Sequence, residues 1–113
     1  MILTQDELPE DFRYPSEFQI LIDQGLLDFD PWVIIIGERL RTRYAGLKAR
    51  YPKRKLVPFA KREDNDDLAC FESARGVVVI HDFASSGFEG GQTPMSFWDW
   101  FRMIVEDMID HNS

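Results

Sequence analysis

Residues 56–82, LVPFAKREDNDDLACFESARGVVVIHD, decide the fold of this chain. Three short apolar runs are separated there by two polar segments: Asp64, Asn65, Asp66 and Asp67 in the first, Ser73, Ala74, Arg75 and Gly76 in the second. Both segments are rich in residue types that accept turn geometry, so the pattern predicts an antiparallel meander of three strands. Pairing Glu72 with Val77 across the second turn puts Ala69, Phe71, Val78 and Ile80 on one face. Leu68, Cys70, Val77, Val79 and His81 fall on the other. The first face is the expected core, but the second is apolar enough to need cover as well.

Upstream, Trp32, Val33, Ile34, Ile35 and Ile36 form a β-branched run that reads as a buried strand ended by Gly37. Leu40, Tyr44, Leu47 and Tyr51 then recur at helical spacing, and Pro52 closes the helix. Leu8, Pro9, Glu10, Asp11 and Phe12 read as a helix entry, with Pro9 where its missing N–H costs nothing. Pro15 interrupts it, Ser16 is positioned to cap a second start, and Phe18, Leu21 and Ile22 form an apolar stripe that Gly25 stops. Residues 26–31 read as a connecting loop. Downstream, residues 82–94, with Gly87, Gly90 and Gly91, read as a flexible loop. Ser96 caps the last helix, and Asp99 stands in capping-box position. Phe97, Trp100, Phe101, Ile104 and Met108 make the core stripe of that helix. Trp98, Val105 and Ile109 lie beyond it; they either widen the buried face, the commoner fate of aromatic residues, or leave Trp98 as an exposed anchor.

A chain of 113 residues has room for one core, and residues 1–113 are expected to form a single domain. The composition is that of a globular protein, with 44% hydrophobic and 29% charged residues. Cys70 is the single cysteine and cannot form an internal disulfide. The first residues lack the basic start and apolar run of a signal peptide, so a cytoplasmic location is expected. No apolar run approaches the roughly 20 residues of a membrane span.

Charge is strongly segregated. Residues 1–38 carry −8, residues 39–62 carry +10 with no acid, and residues 63–113 carry −9, for a net −7. The basic block either lies against acidic neighbours or presents a face of its own to a partner. On the helix ended by Pro52, Arg39, Arg41, Arg43, Lys48 and Arg50 flank the apolar stripe, so their stems can cover its edges. With Lys53, Arg54 and Lys55 they could also grip phosphate, but the −17 of the other two blocks ranks nucleic-acid binding last.

No catalytic, cofactor or metal constellation emerges. A Cys70 thiolate would need an imidazole within about 3 Å, and the expected register leaves His81 only a diagonal neighbour of Cys70. Asp64, Asn65, Asp66 and Asp67 lack the calcium-loop pattern, since Leu68 falls at the fifth position and no glycine at the sixth. His111, near a helix end, suits the negative end of the dipole better than a metal. No spacing argues for a glycosidase pair of carboxylates.

Several of these segments together resemble the SUKH superfamily, which includes a fungal regulator of cell-wall synthesis and many bacterial immunity proteins. They are Leu8, Pro9, Glu10, Asp11 and Phe12 with Phe18 and Gly25; Leu56, Val57, Pro58, Phe59 and Ala60 followed by Asp67, Leu68, Ala69, Cys70, Phe71 and Glu72; and Val79, Ile80, His81 and Asp82, then Ser96 and Phe97 with Trp100 and Phe101. The chain departs from the family pattern in having only seven residues before Leu8 and in placing Asp66 where a glycine often precedes the turn aspartate. The resemblance implies an α+β domain, a twisted and mainly antiparallel sheet of about four strands flanked by helices, with a binding role and no catalytic residues.

The expected function is therefore that of a protein-interaction module, most concretely an immunity protein that neutralises a toxin domain. A housekeeping scaffold is the alternative. The expected partner-binding residues are Glu63, Asp64, Asp66, Asp67, Glu72, His81, Asp82, Glu89 and Trp98. Their acids would attract the basic substrate groove of a nuclease toxin, and Trp98 would supply an anchor.

Overall fold

The computed structural model describes residues 1–72, 75–81 and 94–113. The fold is α+β: α1 (Ser16–Asp23), β1 (Asp28–Phe29), β2 (Trp32–Ile34), α2 (Gly37–Arg50), β3 (Leu56–Arg62), β4 (Leu68–Glu72), β5 (Gly76–Ile80) and α3 (Phe97–His111). The five strands form one antiparallel sheet in the order β1-β2-β3-β4-β5. The meander is β3-β4-β5, as expected. The additional strand is β1, in the segment expected to be a loop, where Asp28 pairs with Val33 and Phe29 with Trp32 around a cis Asp30–Pro31 bond. Two residues are too few to show a period-2 pattern.

The register across the second turn differs by one residue from the expected one. Glu72 pairs with Gly76, Phe71 with Val77, Cys70 with Val78, Ala69 with Val79 and Leu68 with Ile80. Gly76 accounts for the shift. Its φ of +107° suits only glycine, and a Cβ there would meet the carbonyl oxygen of Met95 at 2.7 Å. Met95 in turn exchanges two backbone hydrogen bonds with Val77 at 2.8 and 3.0 Å. Because a one-residue slip moves a strand's side chains to the opposite face, Val77 and Val79 join Phe71 and Ala69, while Val78 and Ile80 join Cys70 and Leu68.

The Phe71 face carries an aromatic core. Pro58, in the central strand, sits beside a bulge: Pro58 pairs with Cys70 but Ala60 pairs with Ala69, leaving Phe59 as the extra residue. Phe59 stacks on Phe71 with centroids 4.1 Å apart and meets Trp100 edge-on at 4.7 Å. Phe18 of α1 packs against Phe59, Phe71 and Phe97, and Trp100 of α3 against Trp32. α1 and α3 therefore cover this face. The buried Trp100 Nε1 has no hydrogen-bond partner among the described residues, a cost of about 1–3 kcal/mol that burial of the ring must offset.

The second face is buried as well, with Leu68, Cys70, Val78 and Ile80 all at most 5% exposed. α2 packs over β3 on this side, burying Leu40, Tyr44 and Leu47. The expectation that the second face also needs cover is met over β3 by α2. Gly25, at φ +70°, ends α1 as expected. The start of α1 is different: Pro15 occupies the N-cap position, and the Ser16 hydroxyl bonds Glu17 at 2.9 Å rather than a backbone N–H. Residues 5–11 form turns instead of a helix entry, yet they bury Leu8 and lead to the buried Phe12. Ser96 caps α3 by accepting from the Asp99 N–H at 3.2 Å. No helix among the described residues is long and apolar enough to cross a membrane.

Candidate functional site

The acidic hairpin forms between β3 and β4, and nearly every carboxylate in it has a cation. Glu63 meets both Arg39 and Lys61 at 3.3 Å. Arg62 grips Asp64 at 2.6 Å, and Lys61 meets Asp66 at 3.0 Å. Asp67 meets the Nδ1 of His81 at 3.2 Å. Hydrogen bonds from Lys61 and Arg62 hold the Glu63 and Asp64 carboxyls below the usual carboxylate range. Asp66 takes up φ +64°, the left-handed position where a glycine would be usual, and the Asn65 side chain accepts from the Asp67 N–H at 3.0 Å. The residues expected to attract a basic partner are thus brought together, but with their charge largely compensated by the end of β3 and by α2.

Glu72 lies at the opposite end of β4 and does not join the hairpin. Arg54 holds it with two parallel hydrogen bonds of 2.8 Å, and Arg75 adds a third at 3.2 Å. The Arg54 guanidinium pulls the Glu72 carboxyl below its ordinary value. Arg41 does the same for Glu7 through bonds of 2.7 and 2.9 Å, holding it at about 2. Asp82 and Glu89 lie outside the described residues.

Beside the hairpin, Asp67 and His81 line a cleft of about 300 Å³ with Trp32, Arg62, Val79, Met95, Met103 and Asp107. Its polar groups hold one another: Asp107 accepts from Trp32 Nε1 and from Arg62, both at 3.2 Å. These bonds pin α3 to β2 and β3. Cys70 is fully buried on the other face of the sheet, where burial pushes its thiol well up from its ordinary value. The observed register places Cys70 and His81 on opposite faces, so the imidazole cannot activate the thiol. No group of three or more His, Cys, Asp or Glu among the described residues could hold a metal ion. His111 meets Asp30 at 3.6 Å.

Trp98 stands apart from all of this on the outer side of α3. The favoured buried reading is corrected: it is 38% exposed, touching Phe97 and Phe101 with its ring. The final turns of the same helix leave Ile109 57% exposed. Glu106 and Asp110 there, and Glu17 and Asp23 on neighbouring α1, make no ion pair among the described residues, whereas most hairpin acids do. The basic block divides similarly. Arg39, Arg41, Arg54, Lys55, Lys61 and Arg62 are in ion pairs. Arg43, Lys48, Arg50 and Lys53 make none among the described residues, although Lys48 lies over the Tyr44 ring at 4.4 Å. Among the described residues, carboxylates without an ion pair thus stand on α1 and α3, and cations without one on α2 and the turn after it, where Glu38 is the one unpaired acid. Sequence reasoning placed the acidic surface at the hairpin because composition there is dense, but pairing depends on which bases the sheet brings alongside.

Comparisons of the chain with protein-family profiles, with curated proteins and with solved structures found no match.

Proposed function

We propose that this chain is a non-catalytic protein-interaction module of the SUKH type, most concretely an immunity protein that binds and occludes a toxin domain. The observation that carries the reading is Trp98, a large aromatic side chain 38% exposed on a helix whose acids outnumber its bases. A surface tryptophan of this kind is a favoured anchor in protein interfaces, and carboxylates further along the same helix speed encounter with a basic partner such as a nuclease. The α+β architecture, with helices on both faces of an antiparallel sheet, agrees with what the sequence resemblance implies. Asp66, 81% exposed, and the half-exposed Glu63, Asp64 and His81 supply a second, weaker set of contacts at the hairpin.

The test is co-expression with the product of the neighbouring gene. Rescue of growth from its toxicity, with co-purification of the two chains, is the expected result. A neighbouring gene without a toxin domain, together with no rescue, sinks the immunity reading. Partners recovered equally in settings without any toxin identify a general scaffold instead.

A further inference from the structure

Trp98, Phe101, Val105 and Ile109 follow one another at spacings of three, four and four residues. On a helix this puts them in one line about 16 Å long. The line is distinct from the core stripe of Phe97, Trp100 and Ile104, which are buried. Its two ends are open, with Trp98 38% and Ile109 57% exposed, and Phe101 and Val105 are half-buried between them. Phe101 is held edge-on by Phe29 at 5.2 Å and by Trp98 at 5.8 Å, so the middle of the line is supported from below. The line thus keeps apolar side chains accessible at both ends of a strip whose middle is packed on β1.

Its charge setting selects the occupant. Arg102, beside the line, is neutralised by Asp99 at 3.0 Å. Glu106 and Asp110 on α3 and Glu17 and Asp23 on α1 carry no compensating cation among the described residues. A second copy of the same face would bring like charge against like charge. We infer that the α3 line of Trp98, Phe101, Val105 and Ile109 is a docking surface for a protein segment presenting apolar side chains ringed by lysine or arginine. The inference rests on the protein-binding reading above and names the face that does the binding.

The other two tryptophans are buried, Trp32 at 2% and Trp100 at 0% exposure, so emission quenched by acrylamide in the native state belongs to Trp98. The probes are a synthetic amphipathic helix of leucine and lysine and its leucine–glutamate counterpart. The lysine peptide is expected to shield Trp98 saturably, with an affinity that falls as salt rises, while the glutamate peptide leaves quenching unchanged. Ile109→Lys is expected to weaken the lysine peptide about tenfold or more, and the double charge reversal Glu106→Lys/Asp110→Lys is expected to act in the same direction. Ile109 is exposed, so unchanged thermal unfolding of Ile109→Lys will show that the fold survives. Equal shielding by both peptides, no shielding by either, or shielding indifferent to Ile109→Lys overturns the inference. Shielding that grows with protein concentration alone overturns it in favour of self-association. Toxin rescue that persists in Trp98→Ala/Ile109→Lys removes this face but leaves the immunity reading intact. Peptide binding that maps to the line without any rescue does the reverse.

Discussion

Arg54 and Glu72 form a two-bonded clasp, with both nitrogen–oxygen distances at 2.8 Å and the Glu72 side chain 9% exposed. It ties the chain just after α2 to the end of β4. Removing the acid leaves a partly buried guanidinium without its main partner, so Glu72→Ala is expected to cost about 2–3 kcal/mol at neutral pH. Urea unfolding measures it.

The same clasp makes stability depend on pH. Glu72 in the folded protein titrates below its ordinary value of 4.5, as does Glu7, held at about 2 by Arg41. Folding therefore weakens proton binding at both sites. Their stabilisation is complete above pH 4.5 and is lost as pH falls through the folded values. The double variant Glu7→Gln/Glu72→Gln is expected to show a shallower loss of stability between pH 4.5 and 2 than the parent protein. Identical slopes would contradict the pairing.

Gly76 sets the register of β5 against β4. Gly76→Ala forces a Cβ to 2.7 Å from the Met95 carbonyl oxygen at φ +107°, and is expected to cost about 2 kcal/mol or more. In a thermal melt this is a fall of roughly 8 °C or more. A change within error would mean that the bridge between Val77 and Met95 is not held in solution.

Asp66 occupies a left-handed position that a β-branched side chain tolerates poorly. Asp66→Val is expected to lose about 1–2 kcal/mol. Asp66→Gly should stay within about 1 kcal/mol of the parent, because relief of the backbone offsets the lost contact with Lys61, which keeps Glu63. Chemical denaturation of the three proteins side by side decides the order.

Cys70, fully buried and on the face opposite His81, is expected to resist a thiol reagent in the native state and to react only on unfolding. His81→Ala should leave that rate unchanged. Fast modification of the folded protein, or a rate that falls in His81→Ala, would argue for a thiol–imidazole pair.

The meander, the α2 stripe and the capped α3 were legible because each has enough residues to display a period and a recognisable end. β1 was not, since two residues cannot alternate visibly. The register of β5 was hidden for another reason: Met95, nearly twenty residues downstream, presses on Gly76, and no local pattern carries that contact. The acidic hairpin was legible as a place but not as a charge, because its cations, Arg39 on α2 and Lys61 and Arg62 on β3, are set beside it by the fold. Trp98 lay one step outside the core stripe, where sequence allowed both fates and only packing separates them.

The helices on the two faces of the sheet carry unlike surplus charge across a molecule about 25 Å in its shortest dimension. At physiological ionic strength a charge is felt over only about 8 Å, whereas at very low salt the reach is about 30 Å. At physiological salt an approaching protein thus meets one face at a time, an acidic one at α3 or a basic one at α2. In dilute buffer it meets their sum, the net −7 of the whole chain. The two faces can select different neighbours only where salt keeps them electrically out of each other's sight.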